Sequence, residues 1–456
     1  MRKSEVRAAC VAVTIVGLGG CQAHERSTSS AGTAVAPRPN ALQMARATAP
    51  LPEAMRLPDT VRPIGYDVAL TVVPTEARFD GHMIIAAELR APANVVWLNA
   101  TGLDVRAVTI NGAAATVVPG GSDVIGIQSA APLPAGPATL VIDYSGEISS
   151  KNERGVFKEK EGGRWYTFTG LAPIEARRAF PCFDEPSFKV PWKVRLKVKR
   201  DDMALSNAPA ISETIEGDFK IVQFAETKPL PSYLVNFAVG PFDAVDAGSA
   251  GGPGKKGTPV RIIVPRGRGA EARFAKEVTV QLVNRAEGYF GIPYPYEKLD
   301  VIDVPIFGGA FEAPGLVTFA QSLILSAPEK ETVGFHRAYI DVAMHEIAHQ
   351  WFGNLVTAQW WDDIWQSESL AVWTANRLIE NWKPEWHEDS ERAARTVSGM
   401  AMDSLVTARR IRQPIENKDD MANLFGAITY FKGSAVIDMF ENWLGREAFR
   451  NGPFPS

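Results

Sequence analysis

Between residues 56 and 264 apolar and polar positions alternate with a period of two. The clearest stretches are Tyr66-Asp67-Val68-Ala69-Leu70-Thr71-Val72 and Trp192-Lys193-Val194-Arg195-Leu196-Lys197-Val198. Successive side chains of an extended chain point to opposite faces, so this alternation marks strands with one buried face. Val105 to Ile110 runs into Asn111-Gly112, the dipeptide of a tight hairpin turn, and predicts antiparallel pairing. Ala247 to Thr258 is dense in Gly, with Pro253, Lys255 and Lys256; strand character resumes directly at Val260-Arg261-Ile262-Ile263-Val264, so a long hairpin loop is expected there. Helical periodicity begins at Glu271 to Phe290 and dominates after Gly334. The pattern predicts an α+β chain: an N-terminal antiparallel β-sheet domain over 56–264, then a mainly helical domain over 265–456.

One of those helices carries chemistry. Phe335, Ala338, Tyr339, Val342, Ala343, Ile347 and Ala348 form an apolar stripe at helical spacing, and Gly353-Asn354 reads as the stop signal. Within it lies His345-Glu346-Ile347-Ala348-His349. Histidines four apart lie on one face, a turn from each other, so both imidazoles can reach a single ion, and the Glu346 carboxylate is placed to hold a water on that ion. A catalytic zinc needs three protein ligands and an open position. Glu368 is the candidate for the third. It follows Trp360-Trp361-Asp362-Asp363-Ile364-Trp365 and opens a second helical pattern through Leu370, Val372, Trp373 and Ile379. Neither His336 nor His387 has motif spacing. Two His and one Glu make the ligand set of the thermolysin-type zinc peptidases, and zinc is favoured over iron because a facial triad has no need of this motif.

The stretch from His345 through Gln350-Trp351-Phe352-Gly353-Asn354-Leu355-Val356-Thr357 to Trp360-Trp361 and Glu368 resembles the aminopeptidase N family of zinc exopeptidases. Gly309-Ala310-Phe311-Glu312-Ala313-Pro314-Gly315 is similar to that family's Gly-x-Met-Glu-Asn segment, and Tyr430-Phe431-Lys432-Gly433 to the segment with its catalytic tyrosine. Ala176 to Pro186 and Phe290 to Pro295 are further matches, in family order from about Arg56 to Phe449. The resemblance implies a thermolysin-like catalytic domain and hydrolysis of N-terminal peptide bonds by zinc-activated water. It implies one zinc per chain on His345, His349 and Glu368, Glu346 as general base, and Tyr430 as hydrogen-bond donor to the oxyanion. Glu312, with the backbone of Gly309 and Ala310, would bind the substrate's free N-terminus. It also implies a helical continuation past the tyrosine segment, whereas Asn451-Gly452-Pro453-Phe454-Pro455-Ser456 departs from the pattern, so a chain truncated at its C-terminus is expected.

The chain departs from the family at several places. Ala313 follows Glu312 where Asn is usual, a Gln that assists amine binding aligns with Gly170, Phe311 replaces Met, and Ser367 and Ser369 flank Glu368 where Asn and Gly are common. These changes leave the zinc chemistry intact and reduce the polar groups available to an amine. Two alternatives therefore stand beside the aminopeptidase: a zinc endopeptidase of the same superfamily, and an inactive envelope-anchored binding module.

The first twenty residues read as a targeting signal. Arg2, Lys3 and Arg7 precede an apolar run, Ala8 to Gly20, too short to span a bilayer. Leu18-Gly19-Gly20-Cys21 resembles a bacterial lipoprotein signal with Cys21 as the lipidated residue, and the alternative is an ordinary secretory signal. Residues 21–55, rich in Ala, Ser, Thr, Pro and Gly, are expected to form a flexible tether. The expected location is the bacterial cell envelope, membrane-anchored through lipid. Cys182 alone remains in the folded part, so no intrachain disulfide is expected. A net charge of −4 argues for no nucleic-acid partner.

Overall fold

The structure is a computed structural model that describes residue 52, residues 55–251 and residues 257–452. The expected signal, Cys21, nearly all of the tether and the end of the C-terminal hexapeptide lie outside the described residues.

The first part of the chain is built of β-sheets, the largest with eight strands. In Trp192–Lys199 the alternation is realised directly: Trp192, Val194, Leu196 and Val198 are buried and the intervening Lys and Arg face outward. Most neighbours in this sheet are antiparallel, among them Val61–Thr71 with Arg78–Leu89 and Arg78–Leu89 with Arg78's cross-strand partner Glu147 and the rest of Gly136–Glu147. One pair departs from the expected pattern. Val61–Thr71 runs parallel to Trp192–Lys199, Tyr66 opposite Trp192, with the two rings stacked at 4.0 Å. Strands so far apart in sequence are not tied by a hairpin, and packing of their buried faces sets their direction. At the predicted turn Asn111 and Gly112 take φ of 51° and 80°, the pair of left-handed residues that a type I′ hairpin requires.

A five-stranded sheet begins the second part. Phe242–Ala250 and Thr258–Pro265 form the expected hairpin, and Thr258–Pro265 then lies parallel to Leu299–Val304, which lies parallel to Leu316–Ala320. Both faces are covered. Val260, Ile262 and Val264 pack with the helix Arg273–Phe290, while Ile263 and Ile302 pack against Phe168 and Phe242. Burial on both faces accounts for the unbroken apolar run 262–264. The sheet therefore includes residues on both sides of the expected boundary at 264/265, with Phe242–Ala250 before it and Thr258–Pro265 running one residue across it.

The helix Val333–Ala348 lies between Arg273–Phe290 and Ile364–Trp382. Thr332 caps its N-terminus by accepting from Phe335 N at 3.1 Å. Tyr339 anchors its middle, its hydroxyl 2.6 Å from Thr279 Oγ1 and its ring 5.6 Å from Phe319. Its buried positions are Tyr339, Ile340, Ala343, Met344, Glu346, Ile347 and Ala348. A buried glutamate in that set is the feature that packing alone does not explain. Among the described residues no helix is long and apolar enough to cross a membrane.

Candidate metal centre

His345 stands in the last turn of the histidine helix and His349 is its C-cap, so the i, i+4 spacing places both rings on one side. Their Nε2 atoms are 3.0 Å apart, and the rings are nearly perpendicular at 88°. Glu368, on the neighbouring helix Ile364–Trp382, brings Oε2 to 3.4 Å from His345 Nε2 and 3.3 Å from His349 Nε2. Zinc bonds of about 2.0–2.1 Å in a tetrahedral arrangement separate ligand atoms by about 3.3–3.5 Å. The triad fits that spacing on two edges and is slightly tight on the third. Glu368 Oε2 is buried without a hydrogen-bond donor, which is the condition of an atom whose partner is a cation.

The buried carboxylates and imidazoles also shift one another's pKa values. Burial disfavours a charged His349, yet the carboxylates of Glu312 and Glu368 outweigh it and raise its pKa to about 10. Burial likewise opposes ionisation of Glu368, yet the charge on His349 holds it down at about 2. His345 is pushed down by burial and by the charge on His349.

The orientation of His349 is fixed from behind. Its Nδ1 lies 3.0 Å from the Phe352 carbonyl and 3.1 Å from Ser367 Oγ. Donation of the Nδ1 proton to that carbonyl leaves the Nε2 lone pair for the metal. Gly353 makes the approach possible: it adopts φ of +116°, and a Cβ there would fall 2.4 Å from Ser367 Oγ.

Glu346 and Glu312 complete the pocket. One ligand atom each from Glu312, Glu346 and His349 lie within 4.8 Å of one another. Glu346 Oε2 is buried and unpaired, and burial raises its pKa well above the usual carboxylate range. Glu312 follows the edge strand Ala310–Phe311, and burial raises its pKa as well. Its backbone carbonyl is clamped to the segment after His349 by Gln350 Nε2 at 2.9 Å and Asn354 Nδ2 at 2.7 Å. Tyr294 braces Gln350 in turn, its hydroxyl 3.2 Å from Gln350 Oε1. Gly309 and Ala310 are held in the sheet: the Gly309 carbonyl accepts from Ala320 N at 2.6 Å, and Ala310 pairs with Phe319.

Tyr430 reaches the site from a π-turn, Ile428–Lys432, with its ring 6.0 Å from that of His345. The extra residue of such a turn redirects side chains and is common at functional sites. Burial, then the charges of Glu368, Glu312 and Glu346, raise the Tyr430 pKa well above its usual value, so the phenol keeps its proton. The structure thus brings together His345, His349, Glu368, Glu346, Glu312 and Tyr430. Sequence reasoning missed Gln350, Asn354, and Tyr233, whose ring lies 5.0 Å from Trp361 and whose pKa is raised by burial and by Glu312 and Glu368. The available signal for the first two was a polar residue directly after the second histidine and another five residues after it, on either side of Trp351-Phe352.

Two family models match this chain: the peptidase M1 N-terminal domain over residues 62–234 and the peptidase family M1 domain over residues 274–453. The chain belongs to peptidase family M1. Among its relatives, Aminopeptidase M1-A of Oryza sativa subsp. japonica is 34% identical over 410 residues, covering 87% of this chain and 46% of that protein. Probable aminopeptidase 1 of Sulfurisphaera tokodaii is 33% identical over 315 residues, covering 69% of this chain and 39% of the relative. Endoplasmic reticulum aminopeptidase 1 of Rattus norvegicus is 29% identical over 415 residues, covering 87% and 44%. The chain spans about half the length of the curated relatives it matches. M1 peptidases are zinc metallopeptidases, and the fold described above, β-sheets followed by a helical catalytic region, is the M1 architecture.

Within this M1 chain Gly170 is more than a missing side chain. A Cβ there would meet the Glu153 carbonyl oxygen at 1.9 Å, so backbone of the 149–155 segment fills the place. Phe311 packs, partly buried, against the cluster of Tyr233, Trp360 and Trp361 beside Glu312.

Proposed function

We propose that this chain carries the active centre of a zinc-dependent aminopeptidase, with one zinc held by His345, His349 and Glu368. The observation that carries the reading is the Glu312 carboxyl group standing with Glu346 and His349 within 4.8 Å, beside the metal triad. Three carboxylates against one dication leave the pocket with a net charge of −1, and a substrate ammonium neutralises it. Zinc held by this triad would supply Lewis acidity and a water whose pKa is lowered to about 7.

The protein groups do the rest. Glu312 binds the ammonium through charge-assisted hydrogen bonds and so sets the distance to the first peptide bond. Glu346 takes the water proton on its unpaired Oε2 and delivers it to the departing amine. Its burial suits the role, since a base with a raised pKa holds the proton long enough to pass it on. Tyr430, kept protonated, donates to the oxygen on which negative charge develops. The Tyr233–Trp361 cluster with Phe311 walls the space beside Glu312 with apolar surface and excludes water there.

The test is kcat/KM on matched peptides with free and acetylated N-termini, measured on the full-length protein before and after zinc removal. Loss of activity without zinc together with strong preference for the free amine supports the reading. Equal cleavage of both peptides overturns it in favour of an endopeptidase.

The proposed setting is the bacterial envelope, with Cys21 lipidated after cleavage at Leu18-Gly19-Gly20-Cys21. A Cys carrying two or three acyl chains supplies the multiple anchors that stable membrane attachment needs. Cys21→Ser should shift the protein out of the membrane fraction or leave it unprocessed; an unmodified mature N-terminus found elsewhere by mass spectrometry overturns the assignment.

A further inference from the structure

Glu368 has a serine on either side, and the two hydroxyls reach in different directions. Both serines are buried, Ser367 with 6% and Ser369 with 0% of its surface exposed. Ser367 Oγ lies 3.1 Å from His349 Nδ1 and 3.2 Å from the Phe352 carbonyl, the same carbonyl that Nδ1 meets at 3.0 Å. The hydroxyl and the imidazole N–H therefore converge on one acceptor, and the ring is held from two sides. Ser369 Oγ donates to the Thr429 carbonyl at 2.6 Å. That carbonyl belongs to the peptide bond whose nitrogen is Tyr430's, and the same nitrogen donates to Gly426 O at 3.0 Å.

Close packing leaves neither serine free to move. A Cβ on Gly353 would fall 2.4 Å from Ser367 Oγ, and a Cβ on Gly433, directly after the π-turn, would fall 1.9 Å from Ser369 Oγ. Both neighbours are glycines, and each leaves room for the hydroxyl that faces it. A buried serine without an acceptor leaves a polar group unsatisfied, and each of these has its acceptor on an element bearing another functional residue.

We propose that Ser367 and Ser369 are positioning residues that register Glu368 with its two functional neighbours. Ser367 fixes the His349 ring for metal binding, and Ser369 fixes the turn that carries Tyr430. One helix thereby sets the metal triad and the oxyanion donor in a single frame. The inference rests on the metallopeptidase reading above.

The experiment uses the full-length protein with Ser367→Ala, Ser369→Ala and Ser→Cys at each position. Ser367→Ala should bind zinc about 10- to 100-fold more weakly in competition with a chelator. Its cobalt(II)-substituted form should show a shifted visible spectrum. Ser369→Ala should leave zinc affinity and KM unchanged and lower kcat roughly tenfold, the effect of a modestly misplaced donor. In a Tyr430→Phe background the same Ser369→Ala change should lower kcat no further, because the group it positions is gone. The Cys variants keep a weaker donor on a larger atom and should fall between, which separates loss of the hydrogen bond from loss of the side-chain atom. Unchanged zinc affinity and spectrum in Ser367→Ala, or fully additive losses in the Ser369–Tyr430 pair, overturn the proposal. If the unaltered protein itself binds no zinc or cleaves no peptide, the functional reading fails instead.

Discussion

Glu312→Gln isolates the charge on which N-terminal selection depends. The substitution keeps the size and shape of the side chain and removes only the negative charge. The backbone is insulated from the change, because the Glu312 carbonyl, not its carboxylate, is held by Gln350 and Asn354. Glu312 has 8% of its surface exposed, so water screens its carboxylate poorly. A hydrogen bond between charged partners contributes about 1.5–3 kcal/mol. Two unit charges at about 4 Å and an effective dielectric constant of about 20 attract by about 4 kcal/mol, an upper bound before desolvation is counted. The expected loss in kcat/KM on a free-amine peptide is thus about 10- to 150-fold. The acetylated analogue carries no ammonium, so its kcat/KM should hardly change and the selectivity ratio should contract by the same factor. Parallel assays on the two peptides, with zinc content checked by metal analysis, measure this directly. Equal losses on both peptides would refute the reasoning, since Glu312 would then support the metal site and not the amine.

Three further outcomes are expected. His345→Ala, His349→Ala and Glu368→Ala should each lose metal and turnover, whereas Glu346→Gln should retain zinc by metal analysis and lose turnover; loss of metal in all four would make Glu346 a ligand. Zinc uptake at about pH 8 should release about one proton per ion or more, because the metal-free His349 titrates at about 10 and must be neutral to bind. The sign follows: apparent affinity rises with pH up to about 10 and Glu368, at about 2, contributes nothing to the slope above pH 5, which calorimetry in buffers of different ionisation enthalpy will read. Gly170→Gln should destabilise the fold by about 1–3 kcal/mol in denaturant unfolding and fail to strengthen amine selection, because its Cβ would meet the Glu153 carbonyl at 1.9 Å; a stable variant with sharper selection would show that the 149–155 segment yields.

The candidate metal triad was legible because most of it is local. His345 and His349 share a helix face by the geometry of 3.6 residues per turn, and Glu346 takes its place from the same geometry. Strand alternation in Trp192–Lys199 and the turn at Asn111-Gly112 are local in the same sense, set by the two-residue period and by φ preferences. Glu312 and Tyr430 could be named only by resemblance, since no periodicity links them to the helix they face. What tertiary structure alone decided is long-range. Val61–Thr71 found a parallel partner in Trp192–Lys199, and Thr258–Pro265 joined the sheet of the helical part, because buried faces pair by complementarity and not by nearness in the chain. The clamp of Gln350 and Asn354 on Glu312 depends on which carbonyl another segment presents, as do the acceptors of Ser367 and Ser369. A polar residue in a sequence announces that it needs a partner; only the packed fold decides which atom that partner is.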